Sequence, residues 1–545
     1  MRFLLLALTV AVVACTAPEA PPTIDPTRIA ADVEHLASDE LGGRGPGTPD
    51  EDKTIAYIEE QFRKAGAVPA GDNGTYFQTV PLVGVEPLPS TKISWSSGDA
   101  THPLAWLDEV VALSHTQKPE ATLDAEAVFV GHGIVAPEYG WDDYKGADVK
   151  GKLVLLFTNE PPSDDPAFFG GKALTYYGRW TFKYEEALRH GAAGVLIVHT
   201  DETAGYPWSV VRNSWGRTNP YVKLAEGESA LTAAGWITSE AAAPLLDTSP
   251  ATAGKSIDDL LAMANQKEFT PIPLQARVTG KLDSKLSQMD TRNVVAKVEG
   301  SDPAKRDEAV LYTAHWDHLG RGEPDTNGDG IYNGAVDNAT GTAIVLELAR
   351  AFGAMKTKPA RTILFAAVTA EEGGLRGSEY FGRHPPIPAG KIAVDLNYDG
   401  ILPIGRTSDM TLPGYERTTL APVVEELAAK MGIKLEPEAH PEQGYYYRSD
   451  HFSLARVGVP AFSLSEGQTV IGKPANYGEQ QAEDYRTKRY HQQSDEYRPE
   501  WDFSGLQQLT EFGLELGLRV AALPELPTWK AGDEFLAARE KSWKQ

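Results

Sequence analysis

The sequence predicts an α/β protein with a mixed, mostly parallel central sheet flanked by helices, interrupted by an inserted, β-rich α+β unit. From residue 291 onward, apolar runs of strand length alternate with segments of helical period. Residues 105–274 instead carry short apolar runs separated by Gly, Pro and Asp turns. A chain of 545 residues also exceeds what one core accommodates, so two or three domains are expected.

Two helices are predicted near the N-terminus, one on each side of a Gly-rich loop. Asp25 and Pro26 form a typical helix start, after which apolar residues recur at helical spacing up to Leu36. A second helix is predicted over residues 54–65, and residues 41–47 (LGGRGPG) form the loop between the two.

Later elements alternate between strand and helix. In the middle unit we predict strands at 127–130, 153–157 and 195–198 and a helix at 182–190. After it we predict strands at 291–298, 309–314, 361–368, 391–397 and 458–464, and helices at 341–352, 423–431 and 503–521. Ligands of open α/β sheets bind at the carboxyl ends of strands, so functional residues are expected there.

The composition restricts the classes of partner. The formal net charge is −25, which argues against nucleic acid or an anionic membrane face as the main partner. The 41% apolar and 23% charged content is typical of a globular protein.

The N-terminus predicts export. An apolar run at residues 3–12, too short to anchor stably in a bilayer, leads to Cys15, the only cysteine, in a sequence that resembles the bacterial lipobox. We expect a lipoprotein signal at residues 1–15, a Pro-rich tether at 16–24, and a lipid on Cys15 that faces the periplasm or cell surface and is the only membrane contact. An ordinary signal peptide is the alternative. A single cysteine, placed at the predicted lipidation site, excludes an intramolecular disulfide, a cysteine-based zinc site and catalysis by a cysteine nucleophile.

Imidazole and carboxylate groups follow several predicted strands. Such a ligand set suits zinc or a related divalent ion. One strand-end histidine is usually a structural hydrogen-bonding group, and one Glu-Glu pair is usually solvated surface. Five such features in one domain favour a metal site: His315, Asp337, Glu372, Asp399 and His491.

Together these motifs resemble the bacterial dizinc aminopeptidases, whose relatives include glutamate carboxypeptidase II and the glutaminyl cyclases. The matching segments are His315-Trp316-Asp317, Gly334 to Asn338, Glu371-Glu372 with Gly374 to Ser378, Asn397-Tyr398-Asp399, and Tyr490-His491. Residues 448–452 (RSDHF) also resemble a family segment, but the phenylalanine stands closer to the histidine here.

The resemblance implies two zinc ions. Asp337 would bridge them, His315 and Asp399 would complete one site, and Glu372 and His491 would complete the other.

The resemblance also implies supporting residues. Asp317 would orient His315, and Asp495 would do the same for His491. In the family, the bridging aspartate precedes a cis peptide bond, which here would join it to Asn338.

A two-zinc centre with its ions about 3.5–4 Å apart lowers the pKa of a shared water toward about 7. A carboxylate that is not a ligand must then take the proton, and Glu371 suits this role because the side chain of the adjacent ligand Glu372 points away from it. By resemblance, Tyr490 would stabilise the oxyanion. Arg448 and Asp450 are candidate substrate-binding residues.

The middle unit resembles the protease-associated domain that is often inserted in this family. The carriers are residues 129–137 (FVGHGIVAP), 141–144 (WDDY) and 148–154 (DVKGKLV). The expected domains are an insertion at 101–279 and a discontinuous catalytic domain at 25–100 and 280–545.

The resemblance implies a metal-dependent exopeptidase acting on peptides, an aminopeptidase by preference. A carboxypeptidase or dipeptidase on the same centre stays open, because polarity depends on whether the cleft offers carboxylates or arginines. A glutaminyl cyclase fits less well, since that branch uses one zinc. A non-catalytic receptor is the alternative from another class. Residues 325–330 (DTNGDG) resemble a calcium loop but are interpreted as a surface turn, and residues 177–180 as the start of a packed helix rather than a substrate contact.

Overall fold

A computed structural model describes residues 22–544 of the chain. The predicted signal, Cys15 and most of the tether lie outside the described residues. Within them, no helix combines the length and apolar character needed to cross a bilayer.

Strands alternate with helices along the described chain. The strands are β1 (Val68–Pro69), β2 (Phe77–Val80), β3 (Leu82–Pro87), β4 (Lys92–Ser97), β5 (Ala100–Leu104), β6 (Val110–Leu113), β7 (Glu120–Phe129), β8 (Val135–Ala136), β9 (Trp141–Asp142), β10 (Leu153–Phe157), β11 (Gly194–His199), β12 (Asn219–Val222), β13 (Ala233–Thr238), β14 (Ile272–Gln288), β15 (Thr291–Val298), β16 (Ala309–His315), β17 (Gly320–Arg321), β18 (Ile331–Tyr332), β19 (Thr362–Val368), β20 (Ile392–Asn397), β21 (Asp409–Thr411), β22 (Lys434–Glu436), β23 (Ala461–Ser463) and β24 (Ser465–Glu466).

The α-helices of the described residues are α1 (Pro26–Leu36), α2 (Pro49–Lys64), α3 (Trp180–Arg189), α4 (Asp201–Ala204), α5 (Trp208–Trp215), α6 (Ser239–Leu246), α7 (Ile257–Ala264), α8 (Thr340–Ala354), α9 (Arg376–Arg383), α10 (Ala421–Met431), α11 (His451–Arg456), α12 (Tyr477–Lys488), α13 (Ser504–Ala522) and α14 (Leu536–Ser542). The two helices predicted near the N-terminus are confirmed. The helix predicted after Tyr177 is α3, although Arg179 and Trp180 at its start also line the cavity described below. Asp25 caps α1 by accepting from the Thr27 amide at 2.9 Å.

The central sheet has the strand order β1-β15-β19-β16-β20-β23, and β2 also pairs with β15. β19, β16, β20 and β23 run parallel, whereas β1, β2 and β15 join antiparallel at one side. All seven residues of β16 and of β19 are buried, as expected for strands covered on both faces. The predicted α/β class is confirmed.

Helices cover both faces of this sheet. On one face, α1, α2, α8 and α13 share a core with alternate residues of β16, β19 and β20. On the other face, residues of α9, α11 and α14 pack against the opposite side chains of the same strands. This burial holds the carboxyl ends of the central strands at fixed positions.

A second, ten-stranded sheet contains β3 to β7 and β10 to β14. Its strand β14 is long and alternates buried and exposed residues over most of its length, which is typical of a strand with one solvated face. β3 pairs with β14, so the chain enters the second sheet at Leu82 and leaves it at Gln288. The second sheet therefore spans 82–288 and extends beyond both ends of the predicted insertion at 101–279, because β3 and β4 both pair with β14.

The inserted unit docks on the catalytic unit through aromatic side chains. Tyr176 lies 4.8 Å from Phe452 and 6.2 Å from Tyr447 between ring centroids. Arg456 of α11 contacts Glu185 of α3. These contacts place the first turn of α3 beside the carboxyl ends of the central strands.

Candidate metal centre

The predicted metal ligands follow adjacent strands of the central sheet. His315 is the last residue of β16, Glu372 lies just after β19, and Asp399 lies just after β20. Asp337 precedes α8, and His491 lies in the loop after α12. Because β16 lies between β19 and β20 in the parallel part of the sheet, their carboxyl ends meet at one edge.

Asp337 lies at the centre of the cluster and uses both carboxylate oxygens. Oδ1 lies 3.2 Å from Nε2 of His315, which lies 3.1 Å from Oδ1 of Asp399. Oδ2 lies 3.2 Å from Nε2 of His491, which lies 3.1 Å from Oε2 of Glu372. The structure thus brings all five residues together, in two groups that share Asp337.

A third histidine, His318, belongs to the second group, and the sequence motifs did not predict it as a functional residue. Nδ1 of His318 lies 2.7 Å from Oε1 of Glu372 and 4.0 Å from Oδ2 of Asp337. His318 is fully buried, and neither ring nitrogen has a hydrogen-bond partner with suitable geometry. Its position directly after Asp317, the aspartate of the H-x-D motif, was the only signal in the sequence.

The donor set fits zinc. The donor atoms of His315, Asp337 and Asp399 lie within 4.8 Å of one another, and so do those of His318, Asp337 and Glu372. Imidazole nitrogen and carboxylate oxygen are common zinc ligands in proteins. The orphaned Oε1 of Glu372 and the orphaned nitrogens of His318 are buried polar atoms that a cation would satisfy.

The Asp337 segment is held by its backbone. The predicted cis peptide bond between Asp337 and Asn338 is confirmed. Asp495 accepts from the amides of Val336 and Asp337 at 3.1 Å, and Asn338 donates to the Tyr398 carbonyl at 2.9 Å. The hydrogen bonds of Asp495 therefore fix the Asp337 main chain, whereas the expected orientation of His491 by Asp495 is not seen among the described residues.

Gly334 starts this segment with a left-handed backbone, at φ 57°. A Cβ there would lie 2.2 Å from the Asp337 carbonyl oxygen and 2.5 Å from the His318 ring. The close approach explains why glycine stands at this position of the motif.

His315 is oriented by Asp317, through the main chain. Nδ1 of His315 lies 3.1 Å from the Asp317 carbonyl oxygen and 3.8 Å from the Asp317 carboxylate. The carboxylate accepts instead from the Glu371 amide at 3.2 Å. Burial raises the pKa of Asp317 to about 8.

A buried arginine from the Gly-rich loop lies beneath the cluster. Arg44 is 1% exposed and donates to the carbonyls of Trp316 at 2.8 Å, Leu36 at 2.6 Å, Asn333 at 2.5 Å and Gly334 at 2.7 Å. Burial lowers the pKa of Arg44 to about 10, against the nearby carboxylates that raise it. Nothing in the sequence around Arg44 indicates this role.

A further network supports Asp399. The Ser449 hydroxyl donates to Oδ2 of Asp399 at 2.6 Å and accepts from the Asn397 amide group at 2.8 Å. Ser449 lies in the RSDHF segment, and its place in that segment was the signal that the sequence offered for this supporting role.

Glu371 is the carboxylate at the cluster that no imidazole contacts within 4.0 Å among the described residues. Burial raises the pKa of Glu371 well above its usual range, and the charges of Glu372 and Asp399 add to this, against the opposing effect of His315. Tyr490 stacks on the His491 ring with the centroids 3.9 Å apart, and burial raises the pKa of its hydroxyl.

A cavity of about 470 Å³ opens onto the cluster between the two units. Its walls include Glu371, Glu372, Tyr490 and His491 of the catalytic unit. Its size is within the ~300–1,000 Å³ typical of small-ligand sites.

The two predicted substrate-binding residues differ in position. Arg448 lines the cavity, and it donates to the Gln443 carbonyl at 2.8 Å. Asp450 is fully buried and does not line the cavity, because its place just before α11 directs it beneath the cluster. Burial raises the pKa of Asp450 to about 7. Asp450 thus does not occupy the substrate-contacting position that we expected.

The segment that resembles a calcium loop forms a turn between β17 and β18. Oδ1 of Asp325 accepts from the amides of Asn327 at 2.7 Å and Asp329 at 3.0 Å. Its carboxylate thus stabilises the turn, in line with the interpretation as a surface turn.

The comparison with protein families decides the class of the catalytic segment. Residues 293–514 match the family model for peptidase family M28. The matched segment holds all five predicted metal ligands, Glu371 and Tyr490, and the match supports the predicted class of enzyme, a zinc metallopeptidase.

Several known proteins are similar to parts of this chain. Leupeptin-inactivating enzyme 1 of Streptomyces exfoliatus is 30% identical over 180 residues, 32% of this chain and 36% of that protein. A "Probable zinc metalloprotease" of Leptosphaeria maculans is 43% identical over 88 residues, 16% of this chain and 19% of that protein. The chain thus spans about a third or less of the length of these relatives.

Among solved structures, an aminopeptidase from Aneurinibacillus sp. strain AM-1 aligns with 92% of this chain and 95% of its own, at 19% identity and a TM-score of 0.46.

Proposed function

We propose that this protein is a two-zinc exopeptidase that removes N-terminal residues from peptides. The observation that carries the proposal is the double use of Asp337, whose two oxygens face His315 with Asp399 and His491 with Glu372 at the wall of one cavity. When bound, two cations would acidify a water in the cavity and polarise the peptide carbonyl.

Glu371 is the general base, and then the general acid, of the proposed reaction. It lines the cavity next to the ligand Glu372, and no imidazole pairs with it among the described residues, so its carboxylate can exchange a proton with a water in the cavity. Glu371 accepts a proton from the attacking water and returns it to the nitrogen of the leaving amine as the peptide bond breaks.

Tyr490 and two surrounding residues prepare the site. The Tyr490 hydroxyl, which keeps its proton because of its raised pKa, donates to the oxygen that becomes negative during attack. Asp317 fixes the Glu371 amide and, through its carbonyl, the ring of His315. Ser449 fixes Asp399.

Removal of N-terminal residues is favoured by the name of one relative. Aminopeptidase NAALADL1 of Rattus norvegicus is 32% identical over 113 residues, 20% of this chain. A dipeptidase or carboxypeptidase on the same centre is the second candidate, because Arg448 offers a positive charge at the cavity wall. A non-catalytic binding protein would not require a free carboxylate such as Glu371 beside the ligands.

The test is hydrolysis of a panel of aminoacyl p-nitroanilides by the purified, zinc-loaded protein, with and without a chelator. We expect release that the chelator abolishes and that zinc restores. Glu371→Gln should lower kcat about 10²- to 10⁴-fold while both zinc ions remain bound, as measured by metal analysis. Glu479→Gln, a change at an exposed residue of α12, is the matched control.

Three outcomes are informative. Chelator-sensitive release establishes the aminopeptidase. Cleavage only of N-blocked dipeptides or of peptides with a free C-terminus would replace it with the second candidate. Full activity of Glu371→Gln would refute Glu371 as the general base.

We further propose that the protein is exported and held at a membrane by a lipid on Cys15, since residues 3–15 resemble a lipoprotein signal. Labelled palmitate should be incorporated into the wild type in a bacterial host but not into Cys15→Ser. Equal labelling of both would refute the lipidation site.

A further inference from the structure

The arginines of the cavity wall fall into two groups. Five line it: Arg179, Arg376, Arg383, Arg448 and Arg456. Three of them have carboxylate partners, since Arg376 lies 3.0 Å and Arg383 lies 2.8 Å from Glu379, and Arg456 contacts Glu185. No salt bridge within residues 22–544 involves Arg179 or Arg448.

The two unpaired guanidinium groups come from different units and face the same space. Arg179 precedes α3 of the inserted unit, and Arg448 lies just before α11 of the catalytic unit. They are close enough that Arg448 adds to the effect of burial, which lowers the pKa of Arg179 to about 10. Two like charges that repel in a partly closed space are stabilised by an anion between them.

The backbone adds to the positive potential. Arg179 is the N-cap of α3, no side chain caps this helix, and its first residues Trp180 and Thr181 line the cavity. The amides of a first helical turn carry partial positive charge and bind anions.

The metal cluster lies on the same cavity. Glu371, Glu372, Tyr490 and His491 share its wall with Arg179 and Arg448. One small molecule in this cavity can therefore place an anionic group at the arginines and its scissile bond at the metal centre.

We propose that Arg179 and Arg448 form a carboxylate-binding subsite, so that the enzyme prefers short peptides with a carboxylate near the scissile bond. This inference rests on the proposed function and names its substrate class. The carboxylate has two sources, the free C-terminus of a dipeptide or the side chain of an acidic residue. A planar guanidinium suits either, since it donates two parallel hydrogen bonds.

The experiment measures binding separately from cleavage. Zinc-loaded Glu371→Gln, which holds peptides uncleaved, is titrated by calorimetry with Leu-Asn-NH2, Leu-Asp-NH2 and Leu-Asn with a free C-terminus. We expect at least one of the two carboxylate peptides to bind about 10- to 100-fold more tightly than the neutral amide. The peptide with this advantage identifies the source of the carboxylate.

Substitution of Arg179 should remove the advantage selectively. In the Glu371→Gln background, Arg179→Met should bind all three peptides with the affinity of the neutral amide, and Arg179→Lys should regain part of the preference. Arg217→Met changes an exposed arginine of the same unit outside the cavity and should have no effect. Equal affinity of the starting protein for all three peptides, or an equal loss for all three in Arg179→Met, would overturn the subsite.

Failure of the proposed function gives a different result. If the zinc-loaded wild type cleaves no peptide but the carboxylate preference and its loss in Arg179→Met are observed, the subsite stands and the peptidase proposal falls. If peptides are cleaved and no preference exists, the reverse holds.

Discussion

Replacement of Arg44 by Met tests whether the buried guanidinium holds the metal centre in place. Arg44 donates four hydrogen bonds to carbonyls of three separate segments, including Trp316 beside His315 and Gly334 before Asp337. Met has a similar apolar stem but donates none of these bonds.

The magnitude follows from the bonds and from burial. A hydrogen bond from a charged donor contributes about 1.5–3 kcal/mol, so four bonds would sum to about 6–12 kcal/mol. Relief from burying the guanidinium offsets several kcal/mol of this. The net expectation is a loss of about 3–5 kcal/mol in the free energy of unfolding, comparable to removing one member of a buried ion pair.

The assay is urea unfolding followed by tryptophan fluorescence. Arg63→Met is the matched control, because Arg63 is exposed and its one ion pair within residues 22–544 is with Glu59 of the same helix. Arg44→Lys should recover part of the loss, since it keeps the charge but not the geometry of the fork. A loss below about 1 kcal/mol in Arg44→Met would show that the four bonds do not support the site.

Two further predictions concern the buried histidines His318 and His132. His318→Ala should lower zinc affinity about 10- to 100-fold in competition with a chromogenic chelator, with exposed His440→Ala as control; unchanged affinity would exclude His318 from the metal centre. His132 has its pKa lowered to about 4 by burial, so the unfolded chain binds a proton that the folded chain does not. The stability that His132 contributes is present above pH 6.5 and declines toward pH 4 by on the order of 3 kcal/mol. His132→Gln should reduce this pH dependence of the free energy of unfolding, measured by urea titration at pH 6.5 and at pH 4. Equal pH dependence in the variant and in the wild type would disprove this prediction.

The sequence was informative where function leaves a local pattern. His315, Glu372 and Asp399 follow strands whose apolar runs are unmistakable, and parallel strands bring their carboxyl ends to one edge. The fold class and most element positions followed from the same periodicity.

The sequence was less informative about hydrogen bonds between residues that are distant along the chain. The four acceptors of Arg44 include Trp316 and Gly334, which are 272 and 290 residues away, and a loop arginine gives no sign of them. Likewise, Asp495 lies near His491 in sequence, but its carboxylate bonds the backbone around Asp337. The strands near residues 82–97 and 280–288 join the second sheet from outside the predicted insertion at 101–279, because the sequence of a strand does not show which of two sheets it joins.

The path of the chain between the two sheets has a consequence for how such proteins change over time. β2 and β3 run beside β15 and β14, so Val80 pairs with Thr291 on one side of the junction and Val83 with Gln288 on the other. The two ends of the 82–288 segment are therefore neighbours in a ladder, and a short hairpin would suffice to join them. The outer wall of the cavity is thus an exchangeable module: a single excision or graft at this junction would replace one side of the substrate site and leave every ligand of the metal centre in the remaining unit.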